Sequence, residues 1–500
     1  MQRLNRTSLD PSDKLNLLLK TITCQAHGAI SFLSNDFKVS RKAVYKARDT
    51  VLAALNELVS DEYQPQYITS VDVDKSQLRR AIVALSITSA NSIRAIQEQI
   101  PLIYPGCTVS FGYIQGVIIE AQEQAEKFNN TVPLAAIQSI AVDEMFSQGS
   151  PVLAGIDLDS GFIFSLSHEQ YRDGATWARV LSEAKEQGME PAHVVKDGAK
   201  GIAKGIEMTF DDIEQRDDAF HAVYLAGKSR LKLERKAYRT IEHEDNAEKK
   251  YRKASPDNKR SRAKSLDWAK KKCSDAIERY TLAQQAVQKI RMAFCSVDFK
   301  TGELITLTLA QQLLTQAIAL LQQTQHRDCV SVSLYLENRI KGLTLATSAT
   351  YQHLSALAEN HSEDAISLAC RLIERKRKLK KMSPWKRSQV TKEMAGAYYL
   401  LYRDFDEVVV DEIIVSVERL LQTRHMASSA IEGFNASLRS YLYVRKGVNQ
   451  GFLELFKAWH NLRERRSGRH QGISAYELLT GNGVNDWLSL LGFPPSKTPH

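Results

Sequence analysis

The chain has 500 residues, of which 43% are hydrophobic and 25% charged, and a formal net charge of +9. Its length predicts several domains, and this ordinary composition excludes a mainly disordered, collagen-like or fibrous protein. The basic excess weakly favours a polyanionic partner, nucleic acid first. The sequence contains no run of about 18 apolar residues, so no membrane span is predicted. The first residues lack the apolar stretch of a secretion signal. Six scattered cysteines with no CxxC spacing argue against a disulfide framework or a thiolate zinc site and suit a reducing cytosol.

Residues 1–65 are predicted to form a helix-turn-helix domain that reads DNA. A short helix over 28–34 is followed by a turn, and Ser40 is placed to cap a second helix. Small apolar residues of that helix are predicted to face inward, namely Ala43, Val44 and Ala47. The side chains then left outside, where a recognition helix meets bases and phosphates, are Arg41, Lys42, Tyr45 and Lys46. A basic helical hairpin that binds no nucleic acid is the alternative.

Residues 66–133 are predicted to form a second helical domain of helix-turn-helix type. Ser92–Ile100 and Ser110–Ile118 each have one isoleucine-rich face, and Pro105–Gly106 marks the turn between them. Tyr113 and Gln115 lie on the predicted exposed face and are candidate DNA contacts. That face carries little charge, so a purely structural pair of helices is an equally good interpretation.

Residues 134–226 change to a strand-like pattern and are predicted to form the first part of an α/β core. The short apolar runs that predict strands are 137–143, 152–158, 161–167, 193–197 and 218–224. Asp159–Gly161 predicts a tight hairpin turn between the second and third runs. Helices are predicted over 176–187 and from about residue 199, which gives a mixed sheet with helices packed against it.

Residues 227–427 are predicted to be helical almost throughout, with apolar residues at helical spacing. Runs of lysine and arginine mark this region at 249–253, 270–272 and 375–381. These runs suit a grip on DNA phosphates, a surface that pairs subunits, or a charged face in solvent. A helix-rich segment is expected over 428–482, followed by a tail over 483–500 that is predicted to be loose from Phe493 onward.

Two aspartates end apolar strands, Asp143 in the first and Asp197 in the fourth. Strand ends are where functional side chains leave the core of such sheets, and a carboxylate there costs free energy unless it is paired or metal-bound. Glu432, Asn435 and Arg439 follow at spacings of three and four on one predicted helix. Glu432 can join the two aspartates while Asn435 and Arg439 face a substrate. Three hard oxygen donors suit Mg²⁺ or Mn²⁺.

Other polar residues of the region are predicted to have no catalytic role. The acids predicted to be surface, turn or flanking residues are Glu144, Asp157, Asp159 and Asp173. The histidines without a ligand spacing, predicted to be structural or solvated, are His193, His221 and His460.

The order of these motifs resembles the DDE transposases of insertion sequences, which have an RNase H-like core. The matching motifs are Val142–Met145, Lys196–Gly198, Phe220–His221 in the expected last strand, Ser429–Asn435, and the C-terminal stretch 461–479. The resemblance covers about residues 135–225 and 427–480. It implies that Asp143, Asp197 and Glu432 are a catalytic triad that binds two Mg²⁺ ions, with Mn²⁺ as a possible substitute.

The chain departs from the compact members of that family in one spacing. Asp143 and Asp197 are 54 residues apart, which is ordinary, but Asp197 and Glu432 are 235 residues apart. An all-helical insertion over 227–427, between the last strand and the glutamate-bearing helix, is predicted to account for the difference.

The resemblance implies a DNA transposase that binds the ends of a mobile element, cleaves DNA strands and transfers them to target DNA. Its expected partners are double-stranded DNA and further copies of the same chain, in a homodimer or larger assembly. A bacterial cytoplasm, in association with the nucleoid, is the expected location. Two alternatives remain: a domesticated, non-catalytic DNA-binding regulator, and a structure-specific nuclease of RNase H-like fold.

Overall fold

The computed structural model describes residues 9–24, 28–62, 73–379, 382–444, 447–468 and 470–496. The chain forms two compact units, Met1–Val73 and Asp74–His500. Within the described ranges, no helix combines the length and apolarity that a membrane crossing requires.

The described part of the first unit is a small helical bundle. Its helices are α1 (Pro11–Thr23), α2 (Ala29–Asp36) and α3 (Arg41–Glu62). The residues that pack together as its core are Leu17, Leu33, Phe37 and Val44. Each of the three helices thus contributes to one small hydrophobic core, and this packing holds them against one another.

The turn between α2 and α3 largely follows the prediction. Lys38 adopts a left-handed conformation with φ 53°, and the amide of Val39 turns back to the carbonyl of Ser34 at 3.0 Å. The predicted cap is confirmed, because the amide of Ala43 donates to Ser40 Oγ at 3.2 Å. The inward orientation predicted for Ala43 is wrong, since Val44 alone fills the core position in the first turn of α3 and Ala43 is exposed.

The second unit contains a sheet between two groups of helices. The elements that precede and form it are α4 (Lys75–Thr88), α5 (Ile93–Ile103), α6 (Phe111–Thr131), β1 (Ser139–Ser147), β2 (Ser150–Asp157), β3 (Ile163–His168), α7 (Gly174–Glu186), β4 (His193–Lys196), α8 (Lys200–Thr209) and β5 (Glu214–Asp217). The strand order is β3-β2-β1-β4-β5. β1, β2 and β3 pair antiparallel, and β4 and β5 continue the sheet parallel to β1. The structure therefore confirms a mixed sheet flanked by helices.

One predicted strand is wrong. The last strand is β5, which ends before the predicted segment 218–224, and that segment begins the long helix α9 (Ala219–Arg252). The reason is a helix cap, because the carboxylate of Asp218 accepts hydrogen bonds from the amides of Phe220 and His221 at 2.7 and 3.1 Å. The apolar run is a helix face with Ala222 and Ala226 buried at a spacing of four.

The helical region is large, as predicted. After α9 it comprises α10 (Pro256–Ala293), α11 (Leu307–Gln323), α12 (Arg327–Glu337), α13 (Ile340–Asn360), α14 (Glu363–Leu379), α15 (Pro384–Asp404) and α16 (Glu407–Gln422). The C-terminal part comprises α17 (Ser429–Val444), α18 (Gln450–Leu462), α19 (Ala475–Thr480) and α20 (Trp487–Leu490). Two clusters of buried apolar residues support the helical region, one around α9–α12 and another around α14 and α16.

The two faces of the sheet pack against different helices. One cluster joins Ala141, Met145 and Val195 of the sheet to buried residues of α4–α6, α17 and α18. The other joins Ile140, Val142 and Val194 to α7 and α8. The helices predicted as a second DNA-reading domain thus share a hydrophobic core with the sheet. Alternation along each strand decides which side chains face α17.

Helix α18 covers the edge of the sheet at β3. The side chain of Asn461 exchanges two hydrogen bonds with the backbone of Ile163, at 2.8 and 2.9 Å. Gln450 does the same for the amide of His168 and the carbonyl of Leu166, at 2.9 and 3.0 Å. These side-chain amides satisfy backbone groups that an edge strand would leave open.

The tail is less loose than predicted. Phe493, its first predicted residue, is buried in the cluster that contains α18 and α20. Its carbonyl accepts a hydrogen bond from Arg80, whose guanidinium also pairs with Asp486 at 2.7 Å. The last four residues, 497–500, lie outside the described residues.

We expect Gly205→Ala to lower the free energy of unfolding by about 1–3 kcal/mol. Gly205 of α8 lies against α7, where an added methyl group would overlap Trp177 Cβ and lie 3.1 Å from the amide nitrogen of Ala178. The matched control is Gly227→Ala in α9, where the methyl group meets no atom within 4 Å. That variant should gain about 0.5–1 kcal/mol from helix propensity. Thermal unfolding measures both, and a stabilised Gly205→Ala variant would contradict the α7–α8 packing.

Candidate active site

The two aspartates singled out from the sequence lie side by side. Strands β1 and β4 are parallel neighbours, with Val142 opposite Lys196, so Asp143 and Asp197 occupy the next position of each strand line. Asp143 alternates with Ala141 and Met145, and Asp197 follows Val195 by two residues. Both side chains therefore belong to the face of the sheet that α17 covers. The charge of Asp197 also acts on the ionisation of Asp143, which confirms that the two are close.

Asp143 is held by neighbours from its own strand and from α17. The side-chain amide of Asn435 donates to Asp143 Oδ2 at 2.6 Å, and the amide of Glu144 donates to Oδ1 at 2.8 Å. Burial raises the pKa of Asp143 to about 6, and the negative charges of Asp197 and Glu144 act in the same direction. Arg439 opposes the shift. Burial is the main cause, so the ionised form of Asp143 is held in the folded chain at a cost in free energy.

Asp197 occupies the short connection between β4 and α8. Its Oδ1 accepts a hydrogen bond from the amide of Ala199 at 2.8 Å, which turns the chain toward α8. The carbonyl of the intervening residue, Gly198, accepts a hydrogen bond from Arg339 at 3.1 Å. The position of Asp197 is therefore fixed both by its own loop and by an arginine of the helical insertion.

Helix α17 presents the other three predicted residues. Its apolar stripe, Ile431, Phe434 and Leu438, is buried against the sheet. Asn435 is also buried, at 1% exposure, because it lies beside that stripe and reaches Asp143. Glu432 and Arg439 lie one turn before and one turn after Asn435 and are exposed. Across the part of the chain that the structure describes, no three His, Cys, Asp or Glu side chains are grouped closely enough to hold a metal ion.

The two ends of the helical insertion meet at Asp218. This carboxylate is 1% exposed, caps α9, and accepts a hydrogen bond from the hydroxyl of Ser428, the residue before α17. The amide of Ala219 donates to the carbonyl of Met426 at 3.0 Å. About 200 residues of insertion thus leave and re-enter the sheet unit at one point, which explains how α17 reaches β1 in spite of the long spacing.

Three residues around the site were missed by the sequence analysis, namely Asp217, Tyr335 and Arg339, and the motif residue Lys196 was given no contact. Lys196 donates to Asp217 at 3.3 Å, and Arg339 pairs with the same carboxylate at 3.8 Å. The guanidinium of Arg339 also lies over the ring of Tyr335, 4.5 Å from its centroid. Two consecutive acids at the end of β5, at 217 and 218, were the available signal. The misplaced last strand concealed it, and nothing in the sequence pointed to Arg339.

The remaining acids and histidines behave largely as predicted. Glu144 points to the other face, where its carboxylate binds Arg172 and the indole of Trp177 at 2.7 and 3.1 Å. Asp157 accepts hydrogen bonds in the hairpin turn, and Asp173 caps α7. Burial lowers the pKa of both His193 and His460 to about 3, so both rings are neutral near pH 7.

The site offers oxygen donors of the kind that a divalent cation takes, although no three-acid cluster is formed among the described residues. Asn435 Oδ1 is a buried oxygen with no hydrogen-bond partner among the described residues, and it belongs to the amide that contacts Asp143. Carboxylate and amide oxygens are the ligands that Mg²⁺ and Mn²⁺ prefer. A cation there would satisfy this oxygen and offset the charges of Asp143 and Asp197. Glu432 is one helical turn away on α17.

The predicted DNA contacts are placed differently in the two helical segments. At the start of α3 the exposed residues are Arg41, Lys42, Tyr45 and Lys46, as predicted. Gln115 on α6 is exposed as well. Tyr113 is half-buried and packs against the core, contrary to its predicted exposure, because α6 is covered by the neighbouring helices.

No family model matches the chain, and no curated protein matches it. Among solved structures, the chain is similar to the Drosophila P element transposase strand transfer complex. The identity is 12%, the match covers 81% of this chain and 97% of that chain, and the TM-score is 0.30. A similarity at this level shows neither the fold nor the function of this chain, so the geometry of the site alone must support a function.

We expect Asp143→Asn to raise the Tm of the metal-free protein at pH 7.5. A carboxyl group whose pKa is near 6 in the folded chain and 3.8 otherwise destabilises the folded state as pH rises through that window. Removing the charge should recover about 1–3 kcal/mol, and the gain should shrink as pH falls from 6 toward 4. The measurement is thermal unfolding in a chelator at several pH values.

Asp173→Asn is the matched control for this experiment. It makes the same chemical change at a helix cap, where the hydrogen bonds of Thr176 hold the pKa of Asp173 below its usual range. Asparagine caps helices as well as aspartate, so its Tm should not rise. A lower Tm for Asp143→Asn would contradict the free-energy cost that we assign to the buried carboxylate of Asp143.

Proposed function

We propose that this protein is a DNA transposase of the DDE type, with an RNase H-like core that cleaves DNA strands and transfers them. The proposal is carried by one observation: Asp143 on β1 lies beside Asp197, which directly follows the adjacent parallel strand β4, and α17 places Asn435 against Asp143. Asp143 lies on the first strand, Asp197 directly follows the fourth, and Glu432 lies on a later helix. This is the arrangement that the resemblance to insertion-sequence transposases implies.

Asp143, Asp197 and Glu432 are the residues that would hold divalent ions, Mg²⁺ or Mn²⁺. Such ions, when bound in pairs, activate an attacking hydroxyl group and stabilise the leaving oxygen in phosphoryl transfer. Asn435 orients Asp143 through its hydrogen bond. Arg439 carries a positive charge close enough to act on Asp143 and is exposed, so it can bind a DNA phosphate beside the acids.

Recognition of element ends is assigned to the first unit. Its exposed residues at the start of α3, Arg41 and Lys42 among them, suit contacts to phosphates and base edges. The partner is double-stranded DNA, both at the element ends and at the target. Two ends must be joined in one reaction, so the active species is a homodimer or a larger assembly.

We expect Asp143→Asn and Asp197→Asn to abolish Mg²⁺-dependent nicking and the joining of 3′-hydroxyl ends while DNA binding is retained. Each variant removes a carboxylate that the chemistry needs and leaves the first unit untouched. The substrate is a plasmid that carries a duplex selected by the wild-type chain from a random library. Asp173→Asn, in the cap of α7, should cut and join as the wild type does. Strand transfer by Asp143→Asn would reject the catalytic assignment.

The double variant Arg41→Gln and Lys42→Gln is expected to weaken binding to the selected duplex about tenfold or more. Each side chain that contacts a base or phosphate contributes on the order of 1–3 kcal/mol to such complexes. Lys14→Gln, an exposed lysine on α1, is the control and should bind nearly normally. Equal binding by the double variant and the control would remove α3 as the DNA-reading helix.

A non-catalytic DNA-binding regulator on the same scaffold is the second candidate. It is favoured by the lack of a three-acid cluster in the described residues. A wild-type chain that binds the selected duplex but never nicks it would establish this candidate. Nicking without joining would instead indicate a structure-specific nuclease.

A further inference from the structure

The first two helices of the insertion form a long antiparallel hairpin. Helix α9 has 34 residues and α10 has 38, and they pack against each other along their length. The base of the hairpin belongs to a larger cluster with α11 and α12. The distal residues Ala237, Leu266 and Ala269 are buried outside that cluster. From Ala237 to Arg252, α9 rises about 22 Å, so the distal part is a substantial arm.

The end of this hairpin has the same formal net charge as the whole chain. Residues 249–272, defined here as the hairpin tip, contain eleven lysines and arginines and two aspartates, a net charge of +9. The formal net charge of all 500 residues is also +9. The formal charges of the rest of the chain therefore sum to zero, although that remainder includes a second basic run at 375–381.

Only the α9 side of the tip neutralises part of this charge internally. Lys249 pairs with Asp245 at 2.5 Å and Arg252 pairs with Glu248 at 2.6 Å. On α10, no ion pair with any described residue is formed by the exposed cations Lys259, Arg260, Arg262 and Lys264. Like charges at this density repel each other, and a polyanion relieves that repulsion.

An aromatic residue lies among these cations. Trp268 of α10 is 57% exposed and meets the ring of His243 edge to face at 5.7 Å. A shallow groove between the two helices is lined by Trp268 together with Lys250, Arg262 and Lys264. Cations beside an exposed flat apolar ring suit a backbone of phosphates and sugars, because phosphates pair with the cations and a sugar packs on the ring.

We propose that the hairpin tip is a second DNA-binding site, which grips the phosphate backbone of double-stranded DNA without reading its sequence. The inference rests on the proposed function for the identity of the polyanion, and it assigns a role to the insertion that the chemistry at Asp143 leaves open. The tip adds affinity through counterion release, whereas the first unit supplies the sequence preference.

The test uses the full chain with Lys259→Gln, Arg260→Gln and Arg262→Gln combined. Binding to a fluorescent 30-base-pair duplex of arbitrary sequence is measured by anisotropy over a range of salt concentrations. We expect the affinity near 0.1 M salt to fall about tenfold or more. The slope of log K against log salt should become shallower by about two to three, since up to three phosphate contacts are lost.

The matched control neutralises three exposed lysines elsewhere in the same unit, Lys127→Gln, Lys204→Gln and Lys300→Gln. It removes the same charge, so a general effect of net charge would change both variants equally. An unchanged slope in the tip variant, or an equal change in both variants, overturns the proposal. The proposal would also be overturned if the wild-type chain binds phosphatidylserine vesicles and the tip variant loses that binding but keeps its DNA binding. That result would indicate a membrane surface as the partner.

The experiment also separates this proposal from the proposed function. Asp143→Asn should keep the full salt slope, because the tip does not depend on catalysis. If the tip variant has a reduced salt slope while the wild-type chain neither nicks nor joins DNA, the tip assignment stands and the transposase proposal is rejected. If the wild-type chain nicks and joins DNA while the tip variant keeps the wild-type salt slope, the transposase proposal stands and the tip assignment is rejected.

Discussion

The two ends of the helical insertion are joined beside the candidate site by one buried carboxylate, that of Asp218. It caps α9 at the start of the insertion and accepts a hydrogen bond from Ser428 at the end. The amide of Ala219 and the carbonyl of Met426 close the same junction at 3.0 Å. The insertion between the two ends is a helical region with its own hydrophobic clusters. This closure and the buried apolar stripe of α17 together place Asn435 beside Asp143 in spite of a separation of 292 residues.

The insertion also contributes to the site. Arg339 bonds the carbonyl of Gly198 and pairs with Asp217, so a helical segment buttresses the loop that carries Asp197. Gly342 allows this approach, because a Cβ atom at that position would overlap the carboxylate of Asp217. The insertion thus has two separable parts: a base that supports the acids and an arm whose tip concentrates positive charge.

The sequence was sufficient for the features that depend on local patterns. The hairpin turn between β2 and β3, the caps at Ser40 and Ser110, and the strands that carry the two aspartates all lie where their residues predicted. It failed where a cap competed with an apolar run, because Asp218 turned the expected last strand into a helix. It also could not predict the half-buried position of Tyr113 or the contacts of Arg339, since both arise from packing between segments distant in the chain.

The position of Glu432 is the point on which the catalytic account turns, because the structure places it one helical turn from the residue that contacts Asp143. The most direct measurement is the anomalous scattering of manganese in crystals of the full chain grown with Mn²⁺ and duplex DNA. The account predicts peaks bound by Asp143 and Asp197, with Glu432 drawn in beside them. Manganese bound elsewhere, or not at all, while Asn435 still bonds Asp143, would contradict metal-dependent DNA chemistry at this site.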